Sequence, residues 1–424
     1  RAGAERPRSQ LQRRGPSDRP GDMLAPESAW ERLRPHLAPL APLAVERRLA
    51  DGRVLAEPLF ATSDLPPCDL AALDGFALAG EAPPNGWYAI TGTRFAGDRE
   101  EARLAAGQAL RIMTGAGVPP GADRVVGVEE TATEGERMRT TTAIAPGAAI
   151  RLQGEVVRRG APLLPAGACL TPAALALLAS QGIGEVKVHR PPRLALQLTG
   201  NEIVPPHTTP GPGELRDSHS DFLLAELARQ GLAARELGIA RDEPEALARS
   251  VTRGLEGTDV LLCCGGVSMG EADFLVPVLA RLGCETLFHG VAIQPGKPLL
   301  AARRAGADGE QLIFGLPGNP ASVMVAWWLF VRPALARLMG RPVEFWDTAL
   351  PGALAAPLGA GKRRDRFVPA TWRIDGGRPL LTPISPQGSH DLLAFGRATA
   401  LVRIRAGAPA AAAGSACEWL GLDC

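Results

Sequence analysis

The stretch "DVLLCCGGVSMGEAD", residues 259–273, begins as an apolar run, breaks at Gly265-Gly266 and ends on Glu271 and Asp273. Adjacent glycines expose backbone N–H groups, and such a turn before a helix attracts oxyanions. Ser268 adds a hydroxyl to the turn, and carboxylates beside an anion site point to Mg²⁺ bridging phosphate oxygens. Three further apolar runs end in the same kind of residue. "RLALQL" is followed by Thr199-Gly200-Asn201-Glu202, "QPGKP" holds Lys297 in a loop stiffened by Pro295 and Pro298, and "QLIFG" leads into "LPGNPAS". There Asn319 can cap a helix and Pro320 suits its first position. Singly, each feature has a structural reading. Asp242 with Glu245 forms a capping-box pattern opening "EPEALARS", and Asp273 favours the positive end of its own helix. Jointly the segments predict a phosphate-bearing ligand handled with the help of a metal. A second cluster lies in "DLPPCDLAALDGFALAG" and "RIMTGAGVPPGADRVVGVEE". Asp74-Gly75 and Thr114-Gly115 read as turns, yet both fall in stretches of low polarity, where an isolated carboxylate needs a reason.

The elements that must position these residues follow from the patterning. From Arg193 the chain alternates strand and helix: "RLALQL", "SDFLLAELARQG", "RDEPEALARSVTRG", "DVLLCC", "FLVPVLARLG", "QLIFG" and the helix after "PGNP". This predicts an α/β domain over residues 193–341 with a mainly parallel sheet, whose ligands bind beyond the C-terminal strand ends. Residues 64–150 change to short strands with Gly/Pro turns, a β-rich inserted domain. Residues 23–63 and 151–192 flank it as a discontinuous linker domain. In the latter, "LTPAALALLASQG" is a helix capped by Thr171, begun at Pro172 and ended by Gly182. Residues 342–424 return to strands and turns, a small C-terminal β domain. The first 22 residues are Arg- and Pro-rich without an apolar core, and are expected to be a disordered tail.

Composition bounds the reading. A chain of 424 residues exceeds one ordinary core, and 46% hydrophobic residues support well-packed domains. A net charge of +1 gives no reason to expect nucleic acid or an anionic membrane as partner. No apolar run is uninterrupted enough for a membrane span. The seven cysteines show no C-x-x-C spacing, so disulfides and zinc are not expected and a reducing cytoplasm is. Cys263-Cys264, inside an apolar run, reads as two small buried hydrophobes.

Several motifs together resemble the molybdopterin molybdenumtransferase family, which includes the C-terminal enzyme domain of gephyrin. From about Met23 onward the carriers are "LPPCDLAALDGFA", "RIMTGAGVPPGADRVV", "LTGNEIV", "GGVSMGEADF", "QPGKP", "GLPGNPAS" and "QGSH". The resemblance implies an elongated homodimer of four-subdomain chains that inserts molybdate into molybdopterin. It further implies an adenylated substrate, Mg²⁺ dependence and release of AMP. By similarity Gly265, Gly266, Ser268 and the turn before Asn319 form the pterin-phosphate cradle. Glu202, Asp242 and Asp273 match acidic, metal-holding positions. Lys297, Pro298 and Ser322 resemble the molybdate pocket, with Ser389 from the last domain. Asp74 and Thr114 face the cleft from the partner subunit. A molybdopterin adenylyltransferase and recipient molybdoenzymes are the implied partners.

The chain departs from the family at several places: Val156 stands for an Asp, Gly290 and Gln294 for basic residues, Leu70 and Ala71 for polar ones, and Pro369 for an Arg. Two other readings stay open. One is a paralogue that binds molybdenum cofactor and delivers it without catalysis; the other is the sister adenylyltransferase, against which the additional domains and the "DGFA" and "MTGAG" motifs argue.

Overall fold

The computed structural model describes residues 23–83, 85–99, 103–267 and 274–422. The expected tail over residues 1–22 lies outside the described residues, as do Ser268, Glu271 and Asp273. Two compact units are present: Pro42–Val188, and His189 onward together with the segment up to Ala41.

The larger unit is built on a six-stranded sheet. Its strands are β1 (Leu194–Thr199), β2 (Ala234–Ala240), β3 (Val260–Cys264), β4 (Glu285–His289), β6 (Leu300–Gly306) and β7 (Gly309–Leu316); β5 (Ile293–Gln294) belongs to a second sheet. The order is β2-β1-β3-β7-β6-β4. The first four strands run parallel, while β6 pairs antiparallel with both β7 and β4. Alternate residues face opposite cores, as a strand's period of two requires. Leu262, Cys264 and Phe314 join Trp30, Leu223 and Trp327 on one side; Leu261, Cys263 and Ile313 join Leu247, Val251 and Leu279 on the other. Helices covering both faces explain why these strands read as continuous apolar runs. Burial pushes the Cys263 thiol up to about 12 and Cys264 likewise upward, so both remain neutral and inert.

The helix after "PGNP" continues from Pro320 to Leu338 through a π-helical turn at Trp327–Val331. It is long and apolar enough to cross a membrane, yet 83% of its most apolar window is buried inside the fold. Trp327 Nε1 donates to Glu226 Oε2 at 2.7 Å, which satisfies a buried carboxylate beside it. The last strands are β8 (Leu350–Leu354), β9 (Asp365–Asp375), β10 (Arg378–Pro383), β11 (Ala400–Ile404) and β12 (Ala416–Gly421). Pairing of β9 with β11 closes them into a small barrel, and β5 adds to the start of β9.

The smaller unit carries a further six-stranded sheet, in the order Arg124–Gly127, Gly75–Leu78, Gln108–Ile112, Trp87–Arg94, Arg137–Thr140, Thr131–Glu134. The segments entering and leaving this sheet are fastened together. Asp64 accepts from Gln153 Nε2 (2.9 Å) and Arg159 N (2.8 Å), and Asp69 accepts from Gln153 N (2.7 Å). The helix Pro172–Ser180 begins as its sequence requires, with Thr171 Oγ1 accepting from Ala174 N at 3.2 Å and Pro172 in the first turn.

Candidate functional site

The C-terminal ends of β1, β3 and β7 meet at the double glycine. Gly265 and Gly266 have φ of +95° and +66°, where glycine is favoured. A Cβ on Gly265 would also lie 2.5 Å from the Thr199 carbonyl oxygen and 2.6 Å from its hydroxyl. Gly265 N donates to Leu316 O at 3.0 Å, so the turn is wedged between the neighbouring strand ends. Leu275 N, at the start of the next described helix, donates to Gly266 O at 3.3 Å.

Glu202 follows the end of β1 and Asp242 the end of β2. Asn201 N donates to Asp242 Oδ2 at 3.2 Å, and Asp242 N donates to Asn201 Oδ1 at 3.3 Å. This reciprocal pair replaces the expected capping box: the helix Pro244–Leu255 has no side-chain cap, and Glu245 instead pairs with Arg281 at 2.6 Å. Arg281 engages the Glu245 carboxylate with two hydrogen bonds, at 2.6 and 3.3 Å, and so turns it away from the helix start. Glu202 is exposed and lies over Gly200, where a Cβ would stand 2.9 Å from Glu202 Oε2. Among the described residues no three His, Cys, Asp or Glu side chains gather as a metal site. Glu202 and Asp242 are hard oxygen donors following adjacent strands, and such donors fit Mg²⁺.

The lysine loop leaves β4 and returns to β6. Gly290 N donates to Leu299 O and Val291 N to Lys297 O, both at 2.9 Å, which closes it at the base. Lys297 is exposed and, among the described residues, has no ion-pair partner. A Cβ on Gly296 would meet Ile293 Cδ1 at 2.8 Å and lie 3.6 Å from Ser322 O, so the loop rests on the start of the long helix. Asn319 takes the N-cap position without a side-chain capping bond, and Pro320 is in the first turn. Ser389 O accepts from Ala321 N at 3.1 Å. Asp391 in turn holds that loop, accepting from Gln387 N and Ala394 N at 2.9 and 3.0 Å; these bonds keep its carboxyl below the usual range. Lys297, Pro298, Ser322 and Ser389 are thus gathered by one loop, one helix start and one barrel loop.

In the smaller unit Asp74 and Thr114 are direct partners. Asp74 Oδ1 accepts from Thr114 N and Thr114 Oγ1, each at 2.7 Å, and the two bonds hold the carboxyl below its ordinary value. Asp74 is exposed, so it is this pairing rather than burial in an apolar stretch that accounts for it. Beside Asp74, Gly75 allows a close strand approach: a Cβ there would fall 1.8 Å from Val126 O. One residue escaped the sequence reading. His289, the last residue of β4, places Nε2 2.8 Å from Val267 O; its position at a strand end was the available signal.

The profile of the MoeA N-terminal region (domain I and II) matches residues 24–182, the probable molybdopterin binding domain residues 195–337, and the MoeA C-terminal region (domain IV) residues 351–422. A molybdopterin molybdenumtransferase of Synechococcus elongatus is 41% identical over 327 residues, 74% of this chain and 80% of that protein. One from Staphylococcus aureus is 29% identical over 375 residues, 87% of this chain and 88% of its own. The crystal structure of a molybdopterin biosynthesis protein from Pyrococcus horikosii superposes with a TM-score of 0.78 at 30% identity, covering 94% of this chain and 98% of that one. On these matches, spread across every part of the fold just described, the chain belongs to the molybdopterin molybdenumtransferase family.

Proposed function

We propose that the protein inserts molybdate into adenylated molybdopterin in a Mg²⁺-dependent step that releases AMP. The observation that carries this reading is the convergence of two loops at the strand ends. The Gly265-Gly266 turn is clamped between Thr199 and Leu316, and the Lys297 loop lies against the helix start at Ser322. The first suits a phosphate at Gly266, where no side chain blocks the backbone, while the Gly265 N–H, expected to be exposed, is taken by Leu316 O. The second suits an oxyanion, since Lys297 presents a point charge from a stiff loop. Glu202 and Asp242, with Asp273, would hold the Mg²⁺, which when bound neutralises charge on the pyrophosphate oxygens. Asp74, fixed by Thr114, would complete the site from the second subunit of a homodimer. A molybdopterin adenylyltransferase would supply the substrate and molybdoenzymes would take the product. Seven scattered cysteines without C-x-x-C spacing suit a reducing, cytoplasmic setting.

The test is molybdate-dependent AMP release from adenylated molybdopterin. The transferase reading requires release that depends on both molybdate and Mg²⁺. Binding of the pterin without release would establish the delivery reading instead, and synthesis of the adenylated form from ATP would establish the sister activity.

A further inference from the structure

His289 occupies a junction between the two loops. It ends β4, the edge strand, and two strands, β6 and β7, separate it from β3 in the sheet. The chain leaving β3 nevertheless reaches it, because Val267 folds sideways over β7. Gly315 makes room for this: a Cβ there would stand 2.6 Å from Val267 Cγ1 and 3.0 Å from Leu300 Cβ. Val267 is fully buried, at 1% exposure, and its carbonyl accepts from His289 Nε2 at 2.8 Å. The double-glycine turn is therefore held at its start by Leu316 and at its end by the imidazole. The backbone of the same histidine leads directly into Gly290, whose bond to Leu299 starts the lysine loop.

Resting on the reading above, we propose that His289 is a positioning residue for the pterin-phosphate subsite. Glycines at φ of +95° and +66° give a turn with no side chain to pack, so its shape depends on what fixes its ends. A hydrogen bond that pre-orders such a turn removes an ordering cost from binding. The neutral Nε2–H tautomer and the imidazolium both donate this bond, so the role requires no charge. The lysine loop is closed by its own backbone bonds and does not need the ring.

Three proteins test this: wild type, His289→Ala and His289→Gln, whose amide N–H₂ can donate in place of Nε2. Molybdopterin binding is measured by calorimetry, molybdate dependence by AMP release, and folding by thermal unfolding. The expectation for His289→Ala is roughly tenfold weaker pterin binding, the scale of one lost hydrogen bond. The molybdate concentration for half-maximal release stays within about twofold, as expected for a site whose own contacts are intact. His289→Gln recovers most of the pterin affinity. Unchanged pterin affinity in the alanine variant overturns the proposal, and so does a loss that glutamine does not repair while all three proteins unfold at the same temperature. Should wild type bind pterin without releasing AMP, the transferase reading falls; the same His289-dependent binding would still support the positioning role.

Discussion

Gly265 shows how a single residue sets the chemistry available at the strand ends. Two independent constraints act on it, a left-handed φ and the Thr199 oxygens 2.5 and 2.6 Å from any added Cβ. Gly265→Ala should cost about 1–3 kcal/mol of stability, the range for strain plus overpacking, and pterin binding should fall with it. Urea unfolding and calorimetry check both, and a variant as stable as wild type would mean the turn has room to relax. Lys297 is governed differently. Its side chain is exposed, so Lys297→Ala should leave stability within about 0.5 kcal/mol. The molybdate concentration needed for turnover should rise while pterin affinity holds. A collapse of pterin affinity with unchanged molybdate dependence would reassign the lysine.

At the scale of elements, the strand ends work because their opposite ends are anchored. Asp259, just before β3, is buried and bonded to both Arg190 (2.6 Å) and Arg193 (3.0 Å). Burial opposes its ionisation, but the hydrogen bonds from the two guanidiniums outweigh this and hold the carboxyl far below its usual range. The sign of the pH dependence follows. With its folded pKa depressed, Asp259 contributes stability that is fully present above its unfolded value near ~4 and lost as pH falls below it. Asp259→Asn leaves two cations facing a neutral amide and should destabilise by roughly 3 kcal/mol at pH 7. Between about pH 4 and 2 its stability should fall less steeply than that of wild type. Parallel pH profiles for the two proteins would show that Asp259 is not the group responsible.

The whole molecule raises the question of how the two units cooperate. Asp74 and Thr114 belong to one compact unit, and the strand-end loops to the other. If a homodimer brings Asp74 of one subunit to the loops of its partner, mixing Asp74→Ala with Asp273→Ala gives sites carrying both lesions and sites carrying neither. Random exchange makes about half the dimers mixed, so roughly a quarter of all sites should be intact. AMP release should recover toward that fraction once exchange is shown by mass. Demonstrated exchange with no recovery would confine Asp74 to its own chain or remove it from the chemistry.

Much of this was legible in the linear chain. Period-two and helical patterning, with the Gly, Pro and capping residues between, placed the parallel strands and the helix begun at Pro172, because these are local backbone preferences. That the residues after the parallel strands share one edge was also legible, since a parallel sheet leads every such strand end there. Other features depended on contacts distant in sequence. Asp242 looked like half of a capping box until Asn201, 41 residues away, offered reciprocal bonds and Arg281 claimed Glu245. His289 stood at a strand end in the sequence, but its bond to Val267 required Gly315 to make room for that residue over β7. Ser389 met the helix start through a backbone carbonyl, which no side-chain pattern encodes. The sequence by itself determined which residue types stand at the strand ends. The tertiary structure decided which of them share a hydrogen bond, because that depends on atoms brought within about 3 Å by packing of segments far apart in the chain.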